Sequence, residues 1–175
     1  MSPASNWCRW ALNEGIDRFN ALSREEAERR LYACFASRAW AARVARGRPY
    51  ANLSALLAAA ELAWNGFAPK DWLEAFAAHP RIGERGGHSP AVSEREQSGV
   101  RQASEETLRA LAAENRLYEA RFGHVFLIAA RGRTAGGMLE ALRRRMTNDP
   151  QTELEVAAAE HRKITRLRLE DILKP

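Results

Sequence analysis

The sequence predicts an all-α protein, from its composition and from the helix start and stop signals that recur along it. Alanine occupies 33 of the 175 positions, whereas Val, Ile and Thr together occupy only 15. Helices favour Ala, Leu, Arg and Glu, whereas sheets draw on β-branched residues. The length fits one domain, or two at most. We therefore expect a single domain over residues 1–175, folded as a bundle of about eight to nine helices.

Capping residues and prolines mark the helices of the first half of the chain. Ser23 and Glu26 form a capping box, in which a hydroxyl and a carboxylate satisfy free amides at a helix start. Asn52 is a further N-cap. The helix that Pro69 begins must end near His79, because a proline disfavours helical backbone in the residue before it. The predicted helices span residues 7–22, 24–37, 38–46, 53–64 and 69–79.

The chain from residue 91 onward is predicted to be mostly helical, with one apolar run of uncertain structure. Leu108, Leu111, Leu117 and Tyr118 recur along one predicted helix and are expected to face the core. Residues 125–130, Val-Phe-Leu-Ile-Ala-Ala, fit either a strand or a buried helical turn, because periodicity does not separate the two over so short a run. The predicted helices span residues 91–99, 104–121, 134–147 and 150–172.

A glycine-rich stretch interrupts the helices at residues 81–90 and holds three of the eleven glycines. Loops of this kind carry function more often than the helices they join. His79 stands at its entrance, at a helix end whose partial negative charge favours the imidazolium. Histidine is also the side chain that titrates nearest neutral pH. His79 is therefore a candidate acid or base, although a histidine selected for the helix dipole alone would look the same.

A second cluster of polar residues follows at Ser93-Glu94-Arg95-Glu96-Gln97. Ser93 and Glu96 have the spacing of a capping box, which is the simpler interpretation. The functional interpretation is that Ser93, Glu96 and Gln97 present a hydroxyl, a carboxylate and an amide from one helix start. A carboxylate near a helix N-terminus stays ionised. A protonated His79 facing an ionised Glu96 would then form an acid/base pair across the loop.

The sequence lacks the motifs of metal and nucleotide chemistry. Its four histidines and its two cysteines, Cys8 and Cys34, match no zinc-site spacing. The glycines at residues 132–137 match neither a P-loop nor a dinucleotide fingerprint, and no GxSxG nucleophile elbow occurs. A chemistry that needs no metal and no cofactor is therefore the simplest expectation.

Two classes of protein without enzymatic chemistry also fit the sequence. A net charge of +5, with 24 Arg and 3 Lys, favours anionic partners. The run Arg143-Arg144-Arg145 is interpreted as a solvated face, with a nucleic-acid-binding module as one alternative. A helical protein-interaction domain without chemistry is the other alternative.

Localisation is predicted from what the sequence does not contain. No apolar run approaches the roughly 20 residues that span a bilayer, and no secretory signal is recognised. The two isolated cysteines suit a reducing compartment. We expect a cytoplasmic protein that engages neither membrane nor nucleic acid.

Two linked motifs carry a family resemblance. The run His79-Pro80-Arg81-Ile82-Gly83-Glu84, followed by Ser93-x-x-Glu96-Gln97, resembles the signature of the 2-oxo-4-hydroxy-4-carboxy-5-ureidoimidazoline (OHCU) decarboxylases of urate breakdown. Individually weaker matches extend the resemblance over residues 12–170. They include Asn115-x-x-Tyr118-x-x-x-Phe122-Gly123-x-x-Phe126, Arg145-x-x-Asn148-Asp149 and Arg168-Leu169.

The resemblance implies an all-helical homodimer that uses no cofactor and binds a small anionic ureidoimidazoline. It implies decarboxylation of that substrate to (S)-allantoin, the last enzymatic step from urate. By motif position, the catalytic histidine of the family and its acidic partner fall on His79 and Glu96. The substrate-binding positions fall on Pro80, Ser93, Gln97, Phe126, Ile128 and Arg168.

The resemblance also implies how the turn, the backbone amides and the arginine of the site act. Pro80 shapes the turn after the catalytic histidine. Backbone amides from Phe126 to Ile128 are expected to hold ring oxygens, which would account for an apolar segment at a polar site. Arg166 is the other interpretation of the motif that contains Arg168, and at most one of the two faces a given pocket because they lie two positions apart on one helix.

Overall fold

The computed structural model describes residues 14–82 and 103–174, and all regular structure within these ranges is helical. The all-α prediction is confirmed. The helix predicted over residues 91–99 lies outside the described residues. None of the helices that the structure describes has the length and apolar character required to cross a membrane. The eight helices in the described ranges are α1 (14–20), α2 (Arg24–Cys34), α3 (Arg38–Arg46), α4 (Leu53–Leu62), α5 (Pro69–Ala77), α6 (Glu105–Phe122), α7 (Ala135–Arg145) and α8 (Pro150–Ile172).

Side-chain caps determine where these helices begin. The Ser23 hydroxyl accepts a hydrogen bond from the Glu26 amide at 3.2 Å, and the Asn52 side chain accepts one from the Ala55 amide at 2.9 Å. Both contacts satisfy amides that a helix start leaves without an intrahelical partner. Helix α2 ends at Cys34, earlier than predicted, because Ser37 serves as the N-cap of α3.

Helix α6 buries a face that differs in part from the predicted one. Leu111, Asn115 and Tyr118 are buried, at positions i, i+4 and i+7 of the helix. Leu117, which was expected to face the core, is 60% exposed. The buried face of α6 instead includes Asn115, whose amide Nδ2 donates to the Leu111 carbonyl at 2.9 Å. This bond satisfies the Asn115 Nδ2, whereas its buried Oδ1 has no hydrogen-bond partner among the described residues.

The described residues divide into two compact units. The first comprises helices α1–α4 together with the end of α8, from residue 164 onward. The second comprises helices α5–α7 together with the beginning of α8, up to residue 163.

An aromatic cluster forms the core of the first unit. The Trp40 and Trp64 rings stack with centroids 5.7 Å apart, and Phe35 packs against both. The Trp40 indole Nε1 donates to the Ala60 carbonyl at 3.0 Å, so its polar atom is satisfied although the residue is completely buried. Aromatic residues of this size supply much of the apolar area that a small core needs.

Helix α1 approaches the end of the chain at a glycine. A Cβ atom on Gly15 would lie 2.0 Å from the carbonyl oxygen of Leu173, so only glycine fits there. The Arg18 guanidinium donates to the same Leu173 carbonyl at 3.1 Å. Both contacts hold the C-terminal residues against α1.

The core of the second unit is an aliphatic and aromatic cluster contributed by α6, α7 and the segments beside them. Its buried members include Ile82, Leu111, Tyr118, Phe126, Ile128, Met138 and Leu142. Residues 125–130 supply several of these side chains, yet they form neither a strand nor a helical turn. Both alternatives offered for this run were therefore wrong, because the segment is irregular and its burial comes from packing alone.

Asn20 connects two distant parts of the first unit through backbone atoms. Its Nδ2 donates to the Tyr50 carbonyl at 2.8 Å and its Oδ1 accepts from the Tyr50 amide at 2.9 Å. We expect Asn20→Ala to lower the free energy of unfolding by about 2 kcal/mol, because both backbone groups lose their partner in a partly buried position. Urea denaturation measures the change. Asn65→Ala, at an exposed position, is the matched control, and an equal loss in both variants would contradict the assignment.

Candidate active site

His79 lies in the turn that follows α5, two positions after the last residue of that helix. Its amide donates to the Phe76 carbonyl at 3.0 Å, and its side chain is buried, with 8% of the residue exposed. Pro80 follows directly and is half-buried. The C-terminal end of a helix carries partial negative charge, which favours the protonated imidazole. The predicted position of His79 at the end of a helix is thus confirmed.

A second histidine meets His79 inside the second unit. The Nε2 atoms of His79 and His161 lie 2.8 Å apart, and the two rings are almost perpendicular, with centroids 4.5 Å apart. His161 is completely buried in α8. The Phe76 ring packs edge-on against His161 at 5.5 Å and also contacts His124 at 5.3 Å. The imidazole of His79 therefore contacts a buried imidazole that is itself packed against an apolar ring.

His161 was not among the site residues predicted from the sequence, although a signal for it exists. His161, Ile164, Thr165 and Arg168 are all buried, and they occupy positions i, i+3, i+4 and i+7 of one helix. A histidine on the buried face of a helix that also carries a buried arginine is a polar group in need of partners. Which partner it finds depends on the tertiary packing.

The residues after His79 are tied to α6 by an ion pair. The Arg81 guanidinium donates to both carboxylate oxygens of Glu119, from Nε at 2.5 Å and from Nη2 at 2.8 Å. A bidentate arginine–carboxylate pair fixes orientation as well as distance. This pair gives Arg81 of the His-Pro-Arg motif a structural role within the second unit.

Phe126 and Ile128 lie in the irregular segment that follows α6. Gly123 ends that helix with a left-handed backbone, φ 75°, and turns the chain into the segment. The side chains of Phe126 and Ile128 are buried in the apolar core. A role of these residues toward a ligand would therefore run through their backbone, as the resemblance implies. Their amides belong to no helix and no strand.

Two contacts fix the backbone of this segment. The Leu127 carbonyl accepts from Arg145 Nη1 at 2.6 Å, and the Ala129 amide donates to the Glu160 carboxylate at 2.8 Å. Burial acts to raise the pKa of Glu160 but is outweighed by the bonds from Ala129 and Lys163, so its pKa lies below the ordinary value. Glu160 therefore remains an ionised acceptor for the Ala129 amide.

Arg145 belongs to a buried polar network centred on Glu153. The Arg145 guanidinium donates to the Glu153 carboxylate at 2.5 Å, and Asn148 Nδ2 donates to it at 2.7 Å. The Tyr118 hydroxyl also donates to Glu153. Burial and this hydrogen bond raise the pKa of Tyr118, so it stays protonated as a donor. A carboxylate that is 0% exposed is thus matched by one cation and two neutral donors.

The three consecutive arginines of α7 do not behave alike. Arg143 and Arg144 are exposed and pair with Glu114 and Glu140. Arg145 is mostly buried, and its guanidinium also lies 4.6 Å from the centroid of the Phe126 ring. The interpretation of all three as a solvated face was wrong for Arg145, because its position on the helix points it into the core.

Arg168 belongs to the first unit and is one of its largest fully buried side chains, 2% exposed. Its Nη1 donates to the Ala33 carbonyl of α2 at 3.3 Å. Arg166 is exposed and pairs with Glu170 one turn away. The two arginines therefore face different environments, as their spacing predicts.

The remaining predicted site residues, Ser93, Glu96 and Gln97, lie outside the described residues.

Burial lowers the pKa of His124, and its Nδ1 contacts the Val125 carbonyl at 3.0 Å. Among residues 14–82 and 103–174, no group of three or more His, Cys, Asp or Glu side chains is arranged to hold a metal ion.

Comparison with known proteins identifies the family. The family model described as OHCU decarboxylase matches residues 20–170. The 2-oxo-4-hydroxy-4-carboxy-5-ureidoimidazoline decarboxylase of Haloferax volcanii is 31% identical over 136 residues, covering 74% of this chain and 79% of that protein. The chain belongs to the OHCU decarboxylase family.

A solved structure of this family has the same fold. The crystal structure of an OHCU decarboxylase in the presence of (S)-allantoin matches with a TM-score of 0.72 at 35% identity, covering 87% of this chain and 99% of that one. The structure of an (S)-allantoin synthase matches with a TM-score of 0.70 at 21% identity, a likeness of fold.

Some curated relatives in the family are longer proteins. The uric acid degradation bifunctional protein TTL of Arabidopsis thaliana is 36% identical over 158 residues, which cover 85% of this chain and 48% of that protein. The corresponding PucL protein of Bacillus subtilis is matched over 32% of its length. The chain thus spans half or less of these bifunctional relatives.

The Glu153 network of this OHCU decarboxylase family member yields a stability prediction. We expect Glu153→Gln to lower the free energy of unfolding by about 3 kcal/mol, because it leaves the buried guanidinium of Arg145 without a counter-charge. Chemical denaturation followed by circular dichroism measures the change. Glu155→Gln, two positions away at an exposed site, should change it by less than about 0.5 kcal/mol. Equal stability of the two variants would show that Glu153 does not hold Arg145.

Proposed function

We propose that this chain decarboxylates 2-oxo-4-hydroxy-4-carboxy-5-ureidoimidazoline to (S)-allantoin and CO2 in urate breakdown. The observation that carries the proposal is the match of the OHCU decarboxylase family model over residues 20–170. The related crystal structure determined in the presence of (S)-allantoin supports the same product class. A buried histidine at the end of α5 supplies a group suited to proton transfer.

The chemistry of this substrate requires little from the protein beyond placement. Its carboxylate and hydroxyl share one ring carbon, next to a carbon–nitrogen double bond. When the carbon–carboxylate bond breaks, its electron pair forms a double bond to the ureido-bearing carbon. The π pair of the carbon–nitrogen double bond moves to the ring nitrogen, which takes up a proton, and the result is an enol. The hydroxyl proton then leaves and the ureido-bearing carbon gains a proton, so that CO2 and allantoin are the products. The ring acts as its own electron sink, and no cofactor is invoked.

Within this reaction we assign proton transfer to His79, with Glu96 orienting its imidazole and setting its charge. Positioned acid–base groups contribute about 10²- to 10⁴-fold to a rate. Delivery of the proton to one face of the ring gives a single enantiomer, whereas uncatalysed breakdown would give both.

The substrate-binding roles follow from the same motif positions. Arg168 would clamp an anionic or carbonyl oxygen with its planar fork. Ser93 and Gln97 would fix the ureido and ring groups, and Pro80 would shape the turn. Backbone amides from Phe126 to Ile128 would hold ring oxygens, in keeping with the buried side chains and irregular backbone of that segment. We further propose that the chain acts as one domain over residues 1–175, as a cytoplasmic homodimer that engages no nucleic acid and no membrane.

The decisive assay generates the unstable substrate in place with urate oxidase and hydroxyisourate hydrolase and follows the product by circular dichroism. We expect rapid appearance of optically active allantoin with the wild-type chain. His79→Ala should reduce this rate by at least about 10²-fold, because the proton-transfer group is lost. Thermal melting establishes that the variant is folded. A slow, optically inactive product from a folded wild-type chain would contradict the proposed function. Normal turnover by His79→Ala would contradict the role of His79 alone.

The two arginines near the end of α8 make a matched pair for substrate binding. Arg168→Gln should raise KM or lower kcat/KM by about 10- to 100-fold, because a bidentate charged contact to the substrate is lost. Arg166→Gln should leave both constants within about twofold, since Arg166 is exposed and pairs with Glu170. The opposite pattern would transfer the binding role to Arg166.

A further inference from the structure

The contact between His79 and His161 is a hydrogen bond that needs one proton between its two nitrogens. The Nε2 atoms lie 2.8 Å apart, and a neutral imidazole nitrogen either donates or accepts. One ring therefore presents Nε2–H and the other presents a lone pair. Two imidazolium rings would point both protons at each other at this distance. The pair thus holds at most one positive charge while the contact exists.

We propose that His161 is a positioning residue for His79. In this role, which rests on the decarboxylase function proposed above, His161 Nε2 holds the imidazole of His79 in one orientation and determines which ring nitrogen carries its proton. The family motifs do not include His161, and the assignment comes from the geometry of the pair.

The surroundings of His161 are those of a fixed support. The residue is 0% exposed, and the edge-on contact with Phe76 at 5.5 Å restrains the ring from a second side. Phe76 lies on α5, three positions before His79, so the end of this helix supplies part of the packing around the pair. A buried donor or acceptor held by packing loses little conformational freedom when it binds its partner.

The location of the positive charge within the pair follows from the helix ends. His79 lies at the C-terminal end of α5, where partial negative charge favours a cation, whereas His161 lies within α8. In the charged state His79 is therefore the imidazolium, donating from Nε2 to a neutral His161. In this way His161 would stabilise the acid form of the proposed catalytic group.

Four other titratable or charged groups on the elements around the pair have contacts of their own. His124 contacts the Val125 carbonyl, and Glu160 pairs with Lys163. The Arg162 guanidinium lies 5.1 Å from the centroid of the Trp72 ring, and Arg81 pairs with Glu119. Glu96, the proposed acidic partner of His79, is the further group expected to act on the charge of this pair.

Two substitutions separate the hydrogen bond from packing. His161→Phe retains an aromatic ring beside Phe76 but has no atom to meet His79. His161→Gln places an amide where Nε2 lies. We expect His161→Phe to lower kcat by about tenfold with KM within about twofold, and His161→Gln to recover most of kcat. Arg162→Gln, the exposed neighbour, is the control and should leave kcat unchanged.

The pH profile gives a readout that a purely structural role would not move. The imidazolium of His79 loses its acceptor in His161→Phe, so the pKa of His79 should fall and the limb of the rate profile that it governs should move to lower pH. In His161→Gln an amide oxygen can accept the same proton, so this limb should stay near its wild-type position. Normal kcat and an unmoved profile in a folded His161→Phe variant would overturn the proposal.

Nitrogen-detected NMR titration of the imidazoles tests the pair without any enzyme assay. In the wild-type chain we expect the two rings never to be imidazolium at the same time while the protein is folded. Independent titration of both rings near the ordinary value of about 6.5 would overturn the proposal. If the wild-type chain fails to form allantoin, the proposed function fails, whereas the NMR result still decides whether the histidines share a proton.

Discussion

The buried carboxylate of Glu153 is the group on which the geometry of the second unit depends. It is completely enclosed, and it gathers the Arg145 guanidinium, the Tyr118 hydroxyl and the Asn148 amide from different elements. An ionised carboxylate in this position is tolerated only when every donor is in place. Arg145 then reaches the Leu127 carbonyl, so the network extends into the irregular segment after α6. Backbone that is buried outside helices and strands requires partners of this kind.

Polar groups at the end of α5 are likewise held by several partners. His79 is fixed through its own backbone and through His161, and the residues that follow it are fixed by the pair between Arg81 and Glu119. The proton transfer proposed for His79 would benefit from one orientation established before substrate arrives. Both histidines are buried, which restricts the water that would otherwise compete for their nitrogens.

Arginine serves within this fold as a donor to backbone carbonyls as well as a surface charge. Arg48 donates to the carbonyls of Phe19 and Leu22, and Arg145 to that of Leu127. A guanidinium has five N–H donors in a fixed geometry, so one arginine can donate to several backbone carbonyls. Some of the arginines whose excess suggested an anionic macromolecular partner therefore bind backbone carbonyls of the protein itself.

The sequence by itself determined the helical class, most helix starts and the position of His79, because caps, prolines and helix ends act through neighbouring residues. It also carried the motifs that identify the family. Tertiary structure alone decided the irregular path of residues 125–130, the burial of Arg145 beside two exposed arginines, and the contact of His79 with His161. These features join residues as much as 82 positions apart. Such pairings are set by the way whole helices pack, which local periodicity does not encode.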